Sequence, residues 1–180
     1  MNRAPIQVEE LRVDIHRLWD EEWFLLTAGD LAAGRFNTMT VSWGGMGILW
    51  NKPLALVVVR PTRYTMEFMD RYETFTLCAF PERCRPALNL LGSKSGRSGD
   101  KIREAGLTPM ASNLVAAPGF AEAELILECR KMYWQDLDPS HFLLPEIEKN
   151  YPLKDYHRVY FGEILGIWGE DRYRSLRPGR

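Results

Sequence analysis

Three things are scarce in this 180-residue chain, and each scarcity removes a class of chemistry. Cysteine occurs three times, at Cys78, Cys84 and Cys129, each within an apolar pattern. An odd, widely spaced set suits free thiols in a reducing compartment rather than a disulfide framework. None has a histidine beside it in sequence, so no activated thiol is marked. Histidine also occurs three times. His16, His141 and His157 are isolated from one another and from the cysteines; no metal-ligand spacing arises, and each reads as a surface or satisfied core histidine. Charge of one sign is the third scarcity. The 23 Lys and Arg balance 24 Asp and Glu for a net charge of −1, which gives no electrostatic footing for nucleic acid or an anionic membrane.

Long apolar runs are missing too. None approaches the roughly 20 residues needed to cross a bilayer, and the charged start at residues 1–14 has no signal-peptide core, so a cytoplasmic protein is expected. No G-x-S-x-G elbow marks a nucleophile, and no repeat or low-complexity stretch marks a scaffold. The glycines at 44, 45 and 47 match neither the G-x-G-x-x-G dinucleotide fingerprint nor a P-loop. What is present is 46% hydrophobic residues, enough for a real core in one domain over residues 1–180.

Residues 36–65 organise the chain: a strand, a glycine-rich bend, a buried strand and a helix start with two arginines. Over residues 36–43 the period is two, with Met39, Val41 and Trp43 on one side and Thr38, Thr40 and Ser42 on the other. A row of hydroxyls lines a polar ligand well and a core poorly; it also suits a half-solvated strand, and the strand alone leaves both open. Gly44, Gly45 and Gly47 permit close approach of the chain to a flat ligand, or form a plain surface loop. Residues 54–59 are a continuous apolar run, the pattern of a strand buried on both faces. Arg60-Pro61-Thr62-Arg63-Tyr64-Thr65 follows at once. Pro61 and Thr62 suit a helix opening, and Tyr64, Phe68 and Tyr72 at every fourth place predict an amphipathic helix of about ten residues. Free N–H groups in its first turn, two guanidiniums and two threonine hydroxyls outline a phosphate site. The competing reading pairs Arg60 and Arg63 on the surface with Glu67 or Asp70.

Elsewhere the pattern gives the elements in outline. Residues 1–22 carry Leu11, Ile15, Leu18 and Trp19 at helical spacing with Val13 off the stripe, so a helix and an initial strand with a loop both fit. Residues 23–27 form the first full strand, before a turn punctuated by Gly29, Asp30 and Gly34. Residues 73–80 alternate, and residues 86–91 form a short helix closed by Gly92. The loop at residues 92–99, dense in glycine and serine and carrying Lys94 and Arg97, either folds over an anion or cofactor edge or stays solvated. Asp100 starts a helix to Ala105. Lys101, in its first turn, opposes the helix dipole, which is easier to explain when the ammonium reaches an anion. Residues 121–134 alternate as a long strand with Glu122, Glu124, Glu128 and Arg130 on its polar side. Residues 135–151 cross the surface or a subunit interface. Residues 157–168 close the sheet with Val159, Phe161, Leu165 and Ile167 on one face, and residues 172–180, with their arginines, read as a solvated end.

Taken in order and spacing, Asn37-Thr38-Met39-Thr40-Val41-Ser42-Trp43, the Trp50-Asn51-Lys52-Pro53 bend, Arg60-Pro61-Thr62-Arg63-Tyr64-Thr65 and Gly92-Ser93-Lys94-Ser95-Gly96-Arg97 with Asp100-Lys101 resemble the flavin reductase-like, FMN-binding split-barrel proteins. The resemblance implies a mainly β fold with peripheral helices, a six-stranded antiparallel split barrel, a homodimer, and FMN held near the subunit interface. It implies that Thr38, Met39, Thr40, Val41, Ser42 and Trp43 flank the flavin ring and that Arg60, Arg63, Tyr64 and Thr65 hold its phosphate. Ser93, Arg97 and Lys101 would belong to its surroundings. The implied activity is flavin reduction with NADH or NADPH as electron donor, which needs no nucleophile because the cofactor brings its own redox centre. The competing reading is a flavoredoxin-like carrier that passes electrons to a redox partner protein; a third is an oxidase or haem-related member of the same barrel architecture.

Overall fold

Period-two alternation builds most of this molecule, and the faces it creates decide how the strands stack. The computed structural model describes residues 2–175. In chain order it contains β1 (Ala4–Pro5), α1 (Ile15–Arg17), β2 (Phe24–Asp30), β3 (Arg35–Val41), β4 (Gly44–Leu49), β5 (Lys52–Val59), α2 (Thr65–Arg71), β6 (Thr74–Ala79), α3 (Arg85–Ser93), α4 (Lys101–Glu104), β7 (Pro109–Met110), β8 (Gly119–Phe120), β9 (Leu125–Asp136) and β10 (Arg158–Gly169). Strands pair antiparallel in the order β3-β2-β6-β9-β10-β5-β4, with β1 added along β10. The stretch from β3 to β5 supplies the six barrel strands that the resemblance implies; β4 and β1 are additions at its rim. Curling brings β3 close to β5 without pairing the two, and that seam is the split.

One core fills the barrel and a second lies outside it. Phe24, Leu26, Phe75, Leu77, Leu125, Leu127, Val57 and Tyr160 meet in the interior. Leu25, Cys78 and Ile126 face outward from β2, β6 and β9 and are covered by Leu88 and Leu91 of α3 together with Leu107 and Phe120. Burying each such Leu or Phe contributes about 1.5–3 kcal/mol. The three cysteines are free and buried, and burial pushes the Cys78 thiol up to about 12. Among the described residues no helix is long and apolar enough to cross a membrane.

Several expectations change on this frame. Residues 44–47 are not a bend but part of β4, and the reversal falls at Trp50 and Asn51, with φ of 52° and 58°, the left-handed pair of a two-residue hairpin turn. Gly44 is required there: a Cβ would lie 2.4 Å from both the Leu56 carbonyl and the Trp19 ring. β5 is not buried on both faces. Ala55, Val57 and Val59 are enclosed while Leu54, Leu56 and Val58 are half exposed, because no element among the described residues covers the outer face. The helix after β5 spans only Thr65–Arg71, with Pro61 and Thr62 in the preceding turn; Thr65, Met66 and Met69 face the core, and the Tyr64, Phe68, Tyr72 stripe is half-buried beside them, with Phe68 packed against the core. Gly92 lies inside α3 rather than beyond it, where a Cβ would press on Thr40 at 3.1 Å.

The two long strands also shift. β9 begins at Leu125, later than alternation suggested, and Glu128 on its supposed polar side is buried. In β10, register shifts between Phe161 and Gly162 and between Ile164 and Gly166 break the single period, so Tyr160, Ile164 and Ile167 are the core residues. Residues 1–22 form neither one helix nor a full strand. They hold β1, a 3-10 turn, α1 and a π turn, and Ile6, Leu18 and Trp19 reach the core. Arg172 pairs with Glu124 at 2.5 Å and Arg174 with Glu10 at 4.0 Å, so the start of the tail is docked; Arg177 and Arg180 lie outside the described residues.

Glu128 anchors the loop between β7 and β8: its carboxylate accepts the backbone N–H of Asn113 at 2.8 Å and of Leu114 at 2.6 Å. Glu128→Ala leaves those donors without their acceptor inside the fold and is expected to lower unfolding free energy by about 1–3 kcal/mol, measured by urea denaturation. An unchanged midpoint would remove Glu128 as the anchor.

Candidate functional site

Among the described residues β3 pairs only with β2, so its second edge is there an unpaired row of backbone donors and acceptors along the seam. Beside that edge lies a cavity of about 220 Å³, walled by Met39, Thr40, Val41, Ser42 and Trp43 on one side and by Val58, Arg60, Arg63 and His157 on the other. Among the described residues no carboxylate lines it. A second cavity, of about 160 Å³, adjoins it through Met39 and Arg63 and is lined by Asn37, Thr62, Tyr64, Thr65, Leu91, Ser93, Lys94, Ser95, Gly96 and Lys101. It too has no acid in its wall, and Arg63, Lys94 and Lys101 bring three cations to it.

The end of α3 holds two of those cations in place. The last carbonyls of a helix have no partner within it and sit at the negative end of its dipole. Arg63 Nη1 donates to the Gly92 carbonyl at 2.8 Å, and Lys101 Nζ donates to the Leu91 and Lys94 carbonyls at 2.9 and 3.0 Å. Lys101 is 4% exposed; burial, and after it the charge of Arg63, pushes its ammonium down to about 8. An anion in the smaller cavity would relieve both effects. Lys94 is paired instead with Glu104 at 2.6 Å.

The hydroxyl row has a different fate from the one alternation suggested. Thr38 is fully buried, bonded to Thr27 Oγ1 at 2.9 Å and to the Leu26 carbonyl at 3.1 Å, and Thr40 donates to the Leu88 carbonyl of α3 at 2.5 Å. Only Ser42 of the three keeps a hydroxyl free of internal partners among the described residues, and it lines the larger of the two cavities. Met39 and Val41 belong to the barrel core while their backbone edge borders the site. Thr65 accepts from Asn37 Nδ2 at 2.7 Å under the smaller cavity. Ser93 spends its hydroxyl on the Asn89 and Leu90 carbonyls. Arg97 turns to Glu67 at 2.5 Å and lies over the Tyr64 ring at 4.8 Å.

Arg60 and Arg63 separate. Arg60 lies at the larger of these two cavities, with Nη1 at 2.9 Å from both Asp155 oxygens and Nη2 donating to the Asn150 carbonyl at 2.7 Å. That grip draws the segment after β9 over the seam. It also places His157 in the wall, 5.2 Å from the Trp43 ring and with Nδ1 2.8 Å from the Tyr151 hydroxyl. Burial, then the Arg60 charge, pushes His157 down to about 4, so its ring is neutral at physiological pH. The loop at residues 92–99 does fold over the site: at Gly96 a Cβ would lie 2.3 Å from Asn37 Oδ1, so the chain passes directly over that amide. Asn37 and His157 escaped the candidate set. Asn37 stood in the quoted strand motif without a hydroxyl or charge to single it out, and His157 reaches the seam only through long-range folding.

The sequence model described as the flavin reductase-like domain matches residues 21–176. Among solved structures, the chain is similar to an FMN-binding domain of a flavin reductases-like enzyme from Shewanella baltica, with 19% identity, 93% of this chain and 77% of that one covered, and a TM-score of 0.67. Flavoredoxin of Desulfovibrio vulgaris shares 20% identity over 89% of this chain and 75% of its own, at a TM-score of 0.65. Nitrilotriacetate monooxygenase component B from Bacillus cereus shares 17% over 89% and 77%, at 0.67. At these identities the likeness shows the split-barrel fold. A protein of Aeropyrum pernix is 27% identical over 154 residues, and this chain spans 56% of that relative's length.

His157 carries a pH signature. Its folded value of about 4 lies below the ordinary 6.5, so between those two values the unfolded chain binds a proton that the folded one refuses. Stability is therefore complete above pH 6.5 and is lost as pH falls toward 4. Thermal melts across that window should show a steeper decline for the native chain than for His157→Gln; parallel curves would exclude His157 as the responsible group.

Proposed function

The chain belongs to the flavin reductase-like domain family, and from that membership we propose that it is an FMN-binding oxidoreductase acting as an NAD(P)H-dependent flavin reductase. The observation that carries this reading is the pair of joined cavities without carboxylates, one bordered by an unpaired strand edge and the other by Arg63, Lys94 and Lys101. A phosphate monoester carries up to two negative charges and three acceptor oxygens, which suits the smaller cavity. A planar heterocycle with donors and acceptors on its rim suits the strand edge, with Ser42 and Trp43 beside it. When bound, FMN supplies a two-electron redox centre, and NADH or NADPH supplies the electrons.

The residues have distinct tasks in this reading. Arg63, with Thr62 and the Ser95–Gly96 backbone, binds the phosphate; Lys101 adds its charge while remaining fixed on the helix end. Asn37 and Thr65 shape the floor as a bonded pair. Arg60, expected at the phosphate, instead positions the segment carrying Asp155 and His157 and so closes one side of the ring-sized cavity.

The homodimer is part of the same proposal. Tyr133, on the outer face of the sheet, is 45% exposed and Trp50, in the adjoining turn, is 58% exposed, with their rings 6.2 Å apart. Register places Gly45, Leu56, Phe161 and Tyr133 side by side across β4, β5, β10 and β9, and Val58 continues that face to the rim of the ring-sized cavity. A contiguous apolar face that reaches a cofactor cavity suits a second copy of this chain.

Titration of flavin-free protein with FMN should give saturable binding and a flavin spectrum, and Arg63→Ala should weaken it by about 1–3 kcal/mol, the loss of a charge-assisted hydrogen bond. Absence of a flavin spectrum after reconstitution would sink the reading. Brisk oxidation of NADH or NADPH with free FMN in excess supports the reductase; slow oxidation with rapid electron delivery to a protein acceptor would assign the carrier role instead. Sedimentation should give a dimer that Leu56→Asp converts to monomer, and a monomeric native protein would end the dimer proposal.

A further inference from the structure

A line of aromatic rings leads out of the larger of the two joined cavities, and flavin binding makes no use of it. Trp43, 47% exposed, stands in the cavity wall. Its ring centroid is 5.2 Å from that of His157, His157 is 5.5 Å from Tyr151, and Tyr151 is 5.0 Å from Tyr156. The line ends at the half-exposed Tyr156, on the segment between β9 and β10. Phe142 stacks on Tyr151 at 6.0 Å and meets Tyr156 at 5.8 Å, so the rings also hold that segment together. Packing needs only the rings; the hydroxyls need another reason.

Each of the two phenols is bonded to a base. Tyr151 Oη lies 2.8 Å from His157 Nδ1, and Tyr156 Oη donates to Glu148 Oε1 at 2.6 Å. His157 is neutral, and with its hydrogen on Nε2 its Nδ1 is an acceptor. A phenol gives up an electron readily only when its proton leaves in the same step, because an oxidised phenol that keeps its proton is a very strong acid. Both tyrosines have that acceptor in place. The charges beside them differ in sign. The Arg60 guanidinium lies over the Tyr151 ring at 5.1 Å, whereas Tyr156 has the Glu148 carboxylate. Asp155 offsets part of the Arg60 charge, and Glu148 has no ion-pair partner among the described residues. A positive hole is disfavoured beside a cation and favoured beside an anion. The line therefore has a direction, outward from the cavity.

We propose that Trp43, Tyr151 and Tyr156 form a relay that carries one-electron oxidation away from the cavity to the surface. It rests on the flavin reading above for the source of the oxidant alone: hydrogen peroxide forms where reduced flavin meets dioxygen. Ferrous iron, itself becoming ferric, splits that peroxide into hydroxide and a hydroxyl radical. The radical takes one electron from the Trp43 indole and a proton from solvent, and becomes water. Trp43, now a radical cation, takes an electron from Tyr151, whose proton moves to His157 Nδ1. Tyr151 then recovers that proton and takes an electron from Tyr156, whose own proton moves to Glu148. At the surface a soluble thiol restores Tyr156 by giving up one hydrogen atom, and Glu148 returns its proton to solvent. The net change is hydroxyl radical and thiol to water and thiyl radical, with the cavity wall unharmed.

Pulse radiolysis of the flavin-free full chain tests the relay independently of flavin binding, with azide radicals that take one electron from an indole and become azide. In the native chain part of the indole radical should pass to phenoxyl radical in a first-order phase. Trapping with a nitroso compound, then peptide mass spectrometry, should find an adduct on Tyr156. Trp43→Phe should remove that adduct. Tyr151→Phe, which keeps the ring and its packing, should slow the phase several-fold. Tyr156→Phe should move the adduct to Tyr151, and this half-exposed position covers the case in which the Tyr151 variant does not fold. Tyr133, 6.2 Å from Trp50, gives a separate adduct that none of these variants changes. A Tyr156 adduct that survives Trp43→Phe, or a phase unmoved by Tyr151→Phe, would overturn the relay and leave the flavin reading standing. An intact relay in a chain that binds no FMN would overturn the flavin source of the oxidant while the relay stands.

Discussion

The C-terminal end of α3 is the contact on which the site depends. A short helix ends there with orphan carbonyls and the negative pole of its dipole, and donors from three distant places in the chain converge on it. Thr40 from β3 takes the Leu88 carbonyl, Arg63 takes Gly92, and Lys101 takes Leu91 and Lys94. Two like charges, Arg63 and Lys101, are thereby brought to the wall of one small cavity with no carboxylate in it. Left to themselves they would repel; the fixed carbonyl dipoles hold them, and the cavity keeps an uncompensated positive potential. Preorganisation of this sort means that an arriving phosphate meets charges already in position and costs little reordering.

The barrel sets the other half of the geometry. Closing six strands completely would have paired both edges of β3 and left no backbone for a ligand. Stopping short leaves β3 beside β5 with an open seam, and the exposed edge would be a liability if nothing covered it. Here the covering is partial. α3 seals the Thr38 and Thr40 side, and the segment carrying His157, pulled in by the Arg60–Asp155 pair, seals the other end. What stays accessible runs from Met39 to Trp43, at the place where the cations of the smaller cavity begin.

Much of the fold could be read from residue order, because period-two alternation marks strands whatever their neighbours do. The six strands and the short helix after residue 85 follow from local pattern, whereas that pattern left the loop at residues 92–99 open between a cover and a solvated turn. Boundaries moved where tertiary contacts overrode it: Gly44 belongs to a strand because Trp19 packs on it, and β10 changes face because of its bulges. The site was legible in its parts and not in its wiring. Of the thirteen residues that resemblance assigned to the cofactor, twelve line one of the two cavities or lie in the buried layer beneath them, and Arg97 turns away to Glu67. Hydroxyls on Thr38 and Thr40 looked available to a ligand because the acceptors they bond are backbone carbonyls, which every residue has and no motif reveals.

Arg60 and Arg63 show why two arginines in one motif need not do one job. They stand three residues apart across the Pro61 turn, outside any regular helix, and although both reach the larger cavity their side chains take different partners, Asp155 and the Asn150 carbonyl for Arg60 and the Gly92 carbonyl for Arg63. Arg60 meets a carboxylate, so its charge is largely offset and its value is geometric: it fixes Asn150, Asp155 and, through them, the neutral His157 wall. Among the described residues Arg63 meets only a carbonyl dipole, so most of its charge is left uncompensated. The positive potential of the seam is therefore concentrated at the junction of the two cavities rather than spread along it. Under the flavin reading that junction is where the ribityl phosphate begins, and an electron-rich ring extending along β3 would lie within reach of the same guanidinium. One uncompensated charge would then serve both binding of the phosphate and stabilisation of a reduced, anionic ring, roles that a carbonyl partner leaves open and a carboxylate partner would offset.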